Sequence, residues 1–197
     1  MLKRITTAAL AALAIVTPVM ADTGKGRYLD PAHKHLWNTL EAKGVWLFIN
    51  PKEACQDPKR DPDGVYFYAR RAGKPILAVC QDNRHPTDTA EVRWTLNDRD
   101  TLRHEAMHFL QDCLDGDVSQ TLTPFYDGPG GQPGDITYEE VMRRLGQRRA
   151  DRIAYFYGEK LGASDKTIRL EHEAFYVASN ISPLVISEAI NQLCPVK

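Results

Sequence analysis

The sequence predicts an α+β domain: a small three-stranded sheet packed on one long helix, followed by a helical C-terminal half. Three observations predict it. Short β-branched and aromatic runs cluster between residues 45 and 80, helical apolar spacing dominates from about residue 97 onward, and no internal repeat relates the two parts.

Asp30-Pro31 reads as an N-cap followed by proline at the first helical position. Leu36, Trp37 and Leu40 supply the apolar stripe of that helix, and Gly44 closes it. Val45 to Asn50 is a compact aromatic and β-branched run, hence a buried strand, and the charged, proline-rich residues 51–63 form a loop. Val65 to Arg70 and Pro75 to Cys80 are two further strands joined by a turn around Ala72-Gly73, a hairpin within an antiparallel or mixed sheet.

A helix then starts near Asn97 or Asp98. Leu102, Ala106, Phe109, Leu110 and Cys113 fall at helical spacing, and Gly116 sits where a left-handed cap belongs. Thr123 to Asp135 has four glycines and three prolines in thirteen residues. It reads as a functional surface loop or lid. Thr137-Tyr138-Glu139-Glu140 is a capping box opening a long helix to about Lys160. Another helix spans about Asp165 to Ser179, and Ser182-Pro183 opens the last.

The chain has 197 residues, 43% hydrophobic and 26% charged, with Lys plus Arg 25 against Asp plus Glu 26. These values exclude collagen, low-complexity disorder and a polytopic membrane protein. Near-neutral charge leaves no surplus for phosphate binding, so nucleic acid is not an expected partner. Lys3 and Arg4 precede an apolar stretch from Ile5 to Val16, then Pro18 and Val19-Met20-Ala21. That is a bacterial-style secretory signal with cleavage after Ala21. Residues 22–197 are read as one exported domain, periplasmic or secreted, with no stable membrane insertion after cleavage. All four cysteines lie in that part. An even count in an oxidising compartment implies two disulfides, and local topology favours Cys55–Cys80 with Cys113–Cys194.

His104-Glu105-Ala106-Met107-His108 is an HExxH motif on a predicted helix. Four residues is close to one turn, so both imidazoles leave the same face and can chelate one ion, Zn²⁺ being the natural choice. Glu105 lies about 100° further round, able to reach a metal-activated water without binding the metal. It is therefore the expected general base, taking the proton as hydroxide attacks a carbonyl and passing it to the leaving amine. An HExxH arises by chance in only about 1% of shuffled chains of this composition, which makes it informative.

A catalytic zinc wants a third protein ligand and an open position. The HExxHxxGxxH pattern is excluded, because Gln111 and Leu114 stand at its glycine and histidine. An aspartate ligand before Tyr157-Gly158 is missing because Ala154 occupies its place, and Asp151 is an outsider. The candidates implied by the family resemblance described next are Glu171 and Glu173, about 200° apart on one helix. Small residues beside it, Ala174 and Ala178, favour Glu171; Glu173 stays open.

The segment Leu170-Glu171-His172-Glu173-Ala174-Phe175-Tyr176-Val177-Ala178 resembles the glutamate-ligand zinc peptidases, or gluzincins. Its Glu-x-x-Ala-x-x-x-Ala spacing is similar to the second helix of HtpX-type and ImmA/IrrE-type peptidases. The resemblance implies a minimal zincin-like fold in which His104, His108 and Glu171 bind zinc and Glu105 is the base. It also implies that an edge strand aligns an extended peptide. Phe175 departs from the pattern, standing where those families have aspartate or asparagine. Read as Glu-Ala-Phe, Glu173 is similar to the ligand segment of thermolysin-like enzymes.

Asp112 is a candidate to orient His108, with an exposed helix carboxylate as the plainer reading. Tyr138, Tyr155, Tyr157, Tyr176 and His172 are candidates to stabilise an oxyanion. Arg144, Arg148 and Arg152 read as a solvated helix face with ion pairs. The expectation is an exported zinc-dependent hydrolase, a peptidase acting on peptide or protein substrates. The alternative is a non-catalytic exported binding protein with a structural or vestigial zinc.

Overall fold

The computed structural model describes residues 26–56, 63–69, 73–85, 87–114, 118, 121–126 and 136–194. The expected secretory signal, the Gly116 cap and the 127–135 part of the Gly/Pro loop lie outside the described residues. The fold is α+β, as expected. Helix α1 (Pro31–Ala42) is capped by Asp30, whose carboxylate accepts from the amides of Ala32 and His33. Gly44, at φ 81°, carries the chain into strand β1 (Trp46–Ile49). The residues read as a loop after it contain one helical turn, α2 (Lys52–Cys55).

Strands β2 (Gly64–Ala69) and β3 (Lys74–Val79) form the expected antiparallel hairpin. Strand β1 runs parallel to β3, so the sheet is mixed, in the order β1-β3-β2. An edge strand is half covered at best, which corrects the expectation that β1 is buried: Leu47 is in the core while Trp46 is 46% exposed.

Helix α3 (Leu96–Cys113) begins with a complete capping box, Thr95 accepting from the Asp98 amide and Asp98 from the Thr95 amide. It packs on β2 and β3 on one side, and on α6 (Asp165–Asn180) and α7 (Pro183–Leu193) on others. Every residue from His104 to Cys113 is buried in consequence. The core joins Leu36, Trp37 and Leu40 to Leu77, Leu102, Phe109, Tyr176 and Ile190.

The long helix expected from Thr137 to Lys160 is three pieces: α4 (Tyr138–Leu145), α5 (Gln147–Ala154) and a π-helical segment at Tyr155–Lys160. Gly146, at φ 82°, breaks it. Arg144, Arg148 and Arg152 are all exposed, as expected of solvated positions. Arg144 pairs with Glu140 at 2.6 Å and also donates to the Tyr176 hydroxyl.

Both expected disulfides are present, Cys55–Cys80 and Cys113–Cys194. The second ties the end of α3 to the end of α7. Two such bonds fit an oxidising compartment. Among the described residues no helix is long and apolar enough to cross a membrane.

Candidate metal centre

Helices α3 and α6 pack closely on one another, and Ala174 and Ala178 of α6 are both buried. That approach sets Glu171 opposite the two histidines. His104 Nε2 and His108 Nε2 lie 3.1 Å apart, and the Glu171 oxygens are 3.2 Å from His104 Nε2 and 3.4 Å from His108 Nε2. One ligand atom from each residue falls within 4.8 Å of the others, and all three residues are buried. Three buried donors converging in this way call for a positive charge among them, because a buried carboxylate and two nitrogen lone pairs repel one another.

The electrostatics say the same. Burial opposes charge on His108, but the carboxylates of Glu171 and Glu105 outweigh it and raise its pKa to about 9. Burial raises the pKa of Glu171, yet the two imidazoles outweigh that and hold the carboxyl well below its usual range. A centre that stabilises both an ionised carboxylate and a proton on the ring is one a divalent cation can occupy. His104 Nδ1 is also buried without a hydrogen-bond partner among the described residues. The donor set of two imidazoles and a carboxylate suits such an ion.

Glu105 is 6% exposed, and its charge neighbours are His104, His108, Glu171 and Asp63. Burial raises its pKa; the imidazoles counter this, and Glu171 and Asp63 add to it. Strand β2 starts directly over it. A Cβ at Gly64 would lie 3.0 Å from Glu105 Oε1 and 2.4 Å from Thr101 Cγ2, so only glycine permits this approach.

Glu173, the other carboxylate considered as a ligand, does not join the group. It is fully buried and engaged elsewhere, its Oε2 accepting from Gln111 Nε2 at 3.0 Å and from the Phe125 amide at 2.8 Å. Burial raises its pKa against these bonds and the nearby Arg169. Asp151 is exposed and accepts from Gln147.

The residue touching His108 Nδ1 is Gln111, whose Oε1 is 2.8 Å away. This corrects both readings of Asp112: it neither orients His108 nor faces solvent, but is fully buried and accepts from the Tyr66 hydroxyl at 2.5 Å. Gln111 had no local signal beyond its place three residues after His108. The His104 ring instead packs edge-on against Phe175, with ring centres 4.5 Å apart.

Of the oxyanion candidates, Tyr157 is the one beside the group. Burial, followed by the charge of Glu171 and a hydrogen bond to it, raises the Tyr157 pKa. Tyr138 donates to His172 Nδ1, and His172 Nε2 donates to the Ala150 carbonyl, so both are used in packing α4 and α5 onto α6. Tyr176 is buried and Tyr155 exposed.

Comparison with known protein families, with curated proteins and with solved structures finds no match for this chain.

Proposed function

We propose that this chain is an exported zinc-dependent hydrolase, a peptidase of minimal zincin-like architecture. The observation that carries the reading is the convergence of His104, His108 and Glu171 within 4.8 Å, from two helices, on a buried point. Glu105 follows the first of these histidines in sequence and shares their surroundings.

His104, His108 and Glu171 would hold the zinc, which when bound supplies Lewis acidity and makes a neighbouring water acidic. Glu105 takes and returns the proton; its burial raises its basicity toward the range a general base needs. The Tyr157 hydroxyl, which stands beside Glu171, becomes a donor for charge developing on the substrate oxygen when it gives up its bond to that carboxylate. Phe175 covers one side of His104 and keeps water from it. Of the three strands considered for substrate alignment, β3 is central and β1 lies on its far side. Strand β2 is an edge strand whose first residue abuts Glu105, so it is the one to pair with an extended peptide.

The test is metal content together with cleavage of an unstructured casein-like substrate, with and without chelator. Glu105→Gln is expected to keep zinc and abolish cleavage, whereas His108→Ala loses both. Full zinc retention in His108→Ala refutes the ligand assignment. Stoichiometric zinc without chelator-sensitive cleavage of any peptide favours the binding-protein alternative.

A further inference from the structure

We infer that Gln111 is a positioning residue that fixes a hydrogen on His108 Nδ1 and so turns the Nε2 lone pair toward the metal. The inference rests on the metal reading above and adds how one ligand is held.

The reasoning needs only the inventory of donors and acceptors around one side chain. Gln111 is fully buried, and its amide has two ends of similar shape but opposite hydrogen-bonding character. One end, Nε2, lies 3.2 Å from the main-chain carbonyl of Leu170 and 3.0 Å from Glu173 Oε2. A main-chain carbonyl only accepts. The NH₂ must therefore face Leu170, since the reversed amide would press two acceptors together at a fully buried side chain. This conclusion is independent of whether Glu173 is ionised.

The amide oxygen is left facing His108 Nδ1 at 2.8 Å. An amide oxygen donates nothing, so Nδ1 must carry the hydrogen. In the neutral ring, Nε2 then has the free lone pair, and it is Nε2 that faces His104 Nε2 and Glu171. Free imidazole has both tautomers available, and the partner of one nitrogen decides the state of the other. His104 has no such partner at its Nδ1 among the described residues. The two histidine ligands are thus held differently: His108 by a hydrogen bond traced to the backbone of α6, His104 by the Phe175 ring.

The experiment uses the full-length chain exported and purified with its disulfides formed. Zinc affinity is measured by competition with a chromophoric chelator, and the Co²⁺-loaded protein is examined by proton NMR. There the Nδ1–H of a coordinated histidine gives a hyperfine-shifted signal that disappears in D₂O. Wild type is expected to bind one metal and to show a slowly exchanging His108 Nδ1–H. Gln111→Met, which keeps the bulk and removes the acceptor, is expected to weaken zinc binding by about 10- to 100-fold and to speed exchange of that signal, leaving the His104 signal in place. Zinc affinity within threefold of wild type together with an unchanged His108 signal overturns the inference while leaving the metal reading intact. Should Gln111→Met not fold, wild type alone decides: a His108 Nδ1–H that exchanges as fast as an exposed imidazole overturns it. Wild type binding no metal overturns both.

Discussion

Replacing Gly64 with alanine tests the contact that brings β2 onto the helix of the candidate site. The added Cβ would lie 2.4 Å from Thr101 Cγ2, 3.0 Å from Glu105 Oε1 and 3.1 Å from the Ala78 carbonyl oxygen. Ordinary carbon–carbon contact is about 3.5–4.0 Å, so the first overlap exceeds 1 Å by this measure. Thr101 cannot easily swing away, because a β-branched side chain in a helix has few χ1 choices. The Ala78 oxygen belongs to the central strand and cannot yield without disturbing the sheet. Gly64→Ala should therefore cost about 1–3 kcal/mol, toward the upper end. Denaturant unfolding of the metal-loaded protein, followed by tryptophan fluorescence, gives that number. Thr101→Ser removes the clashing methyl and alone costs about 0.8 kcal/mol. In the double variant the two changes should couple by about 1 kcal/mol or more, recovering much of the loss. Cleavage should fall by a further 10- to 100-fold, roughly, because the Glu105 carboxylate is displaced, while metal content holds. A Gly64→Ala protein within about 0.5 kcal/mol of wild type, or strict additivity in the double variant, would refute the packing argument.

Three further outcomes follow from the same geometry. Zinc at a free concentration of 100 times its dissociation constant should stabilise the fold by about 2.7 kcal/mol; at about 2–4 °C per kcal/mol for a domain of this size, Tm should drop by about 5–11 °C on adding chelator. Unchanged melting would place metal binding outside the folded state. The disulfides close loops of unequal length, 81 residues for Cys113–Cys194 and 25 for Cys55–Cys80. Chain entropy then assigns about 4.5 and about 3.5 kcal/mol to them, so the Cys113→Ala/Cys194→Ala protein should have the lower denaturation midpoint. Burial pushes the His33 pKa below 6.5, overcoming the attraction of Asp30, with Arg103 and Arg99 adding to the fall. Its depressed value means the unfolded chain binds the proton first. Its contribution is complete above pH 6.5 and declines as pH falls through the interval below. Urea midpoints at pH 5 and 7.5 should differ less in His33→Gln than in wild type, and an unchanged difference would sink this assignment.

Much of the fold was legible because its boundaries are local chemistry. Asp30, Thr137 and Ser182 each cap the helix that their position announces, and Gly44 turns the chain with a positive φ. The one broken helix was hidden by its polar residues: Glu140, Arg144, Arg148 and Arg152 keep a four-residue spacing straight through Gly146. Its apolar residues hold the missing signal. Val141 and Leu145 are buried in α4, Ala150 and Ile153 in α5. The step from 145 to 150 is five residues, about 140° out of phase with a single buried stripe. Only a break at Gly146 lets both pairs face inward.

The candidate site divides along the same line. His104, Glu105 and His108 are a local pattern, and Glu171 was marked by the small residues beside it. Tyr157 was legible only as one of five oxyanion candidates, whereas the role of Gln111 and the burial of Asp112 were not legible, for a reason that concerns α3 as a whole. Reading Asp112 as exposed presumes that a helix has a solvent side. From His104 to Cys113 this helix has none, being enclosed by the sheet, α6 and α7. A polar residue on such a helix must find a partner from another element or remain a costly buried charge. Tyr66 meets Asp112, and the Leu170 carbonyl with Glu173 meets the Gln111 amide. The same rule applied to His104 and His108 leaves two nitrogens and a carboxylate facing one another, a buried group that a single metal ion could satisfy.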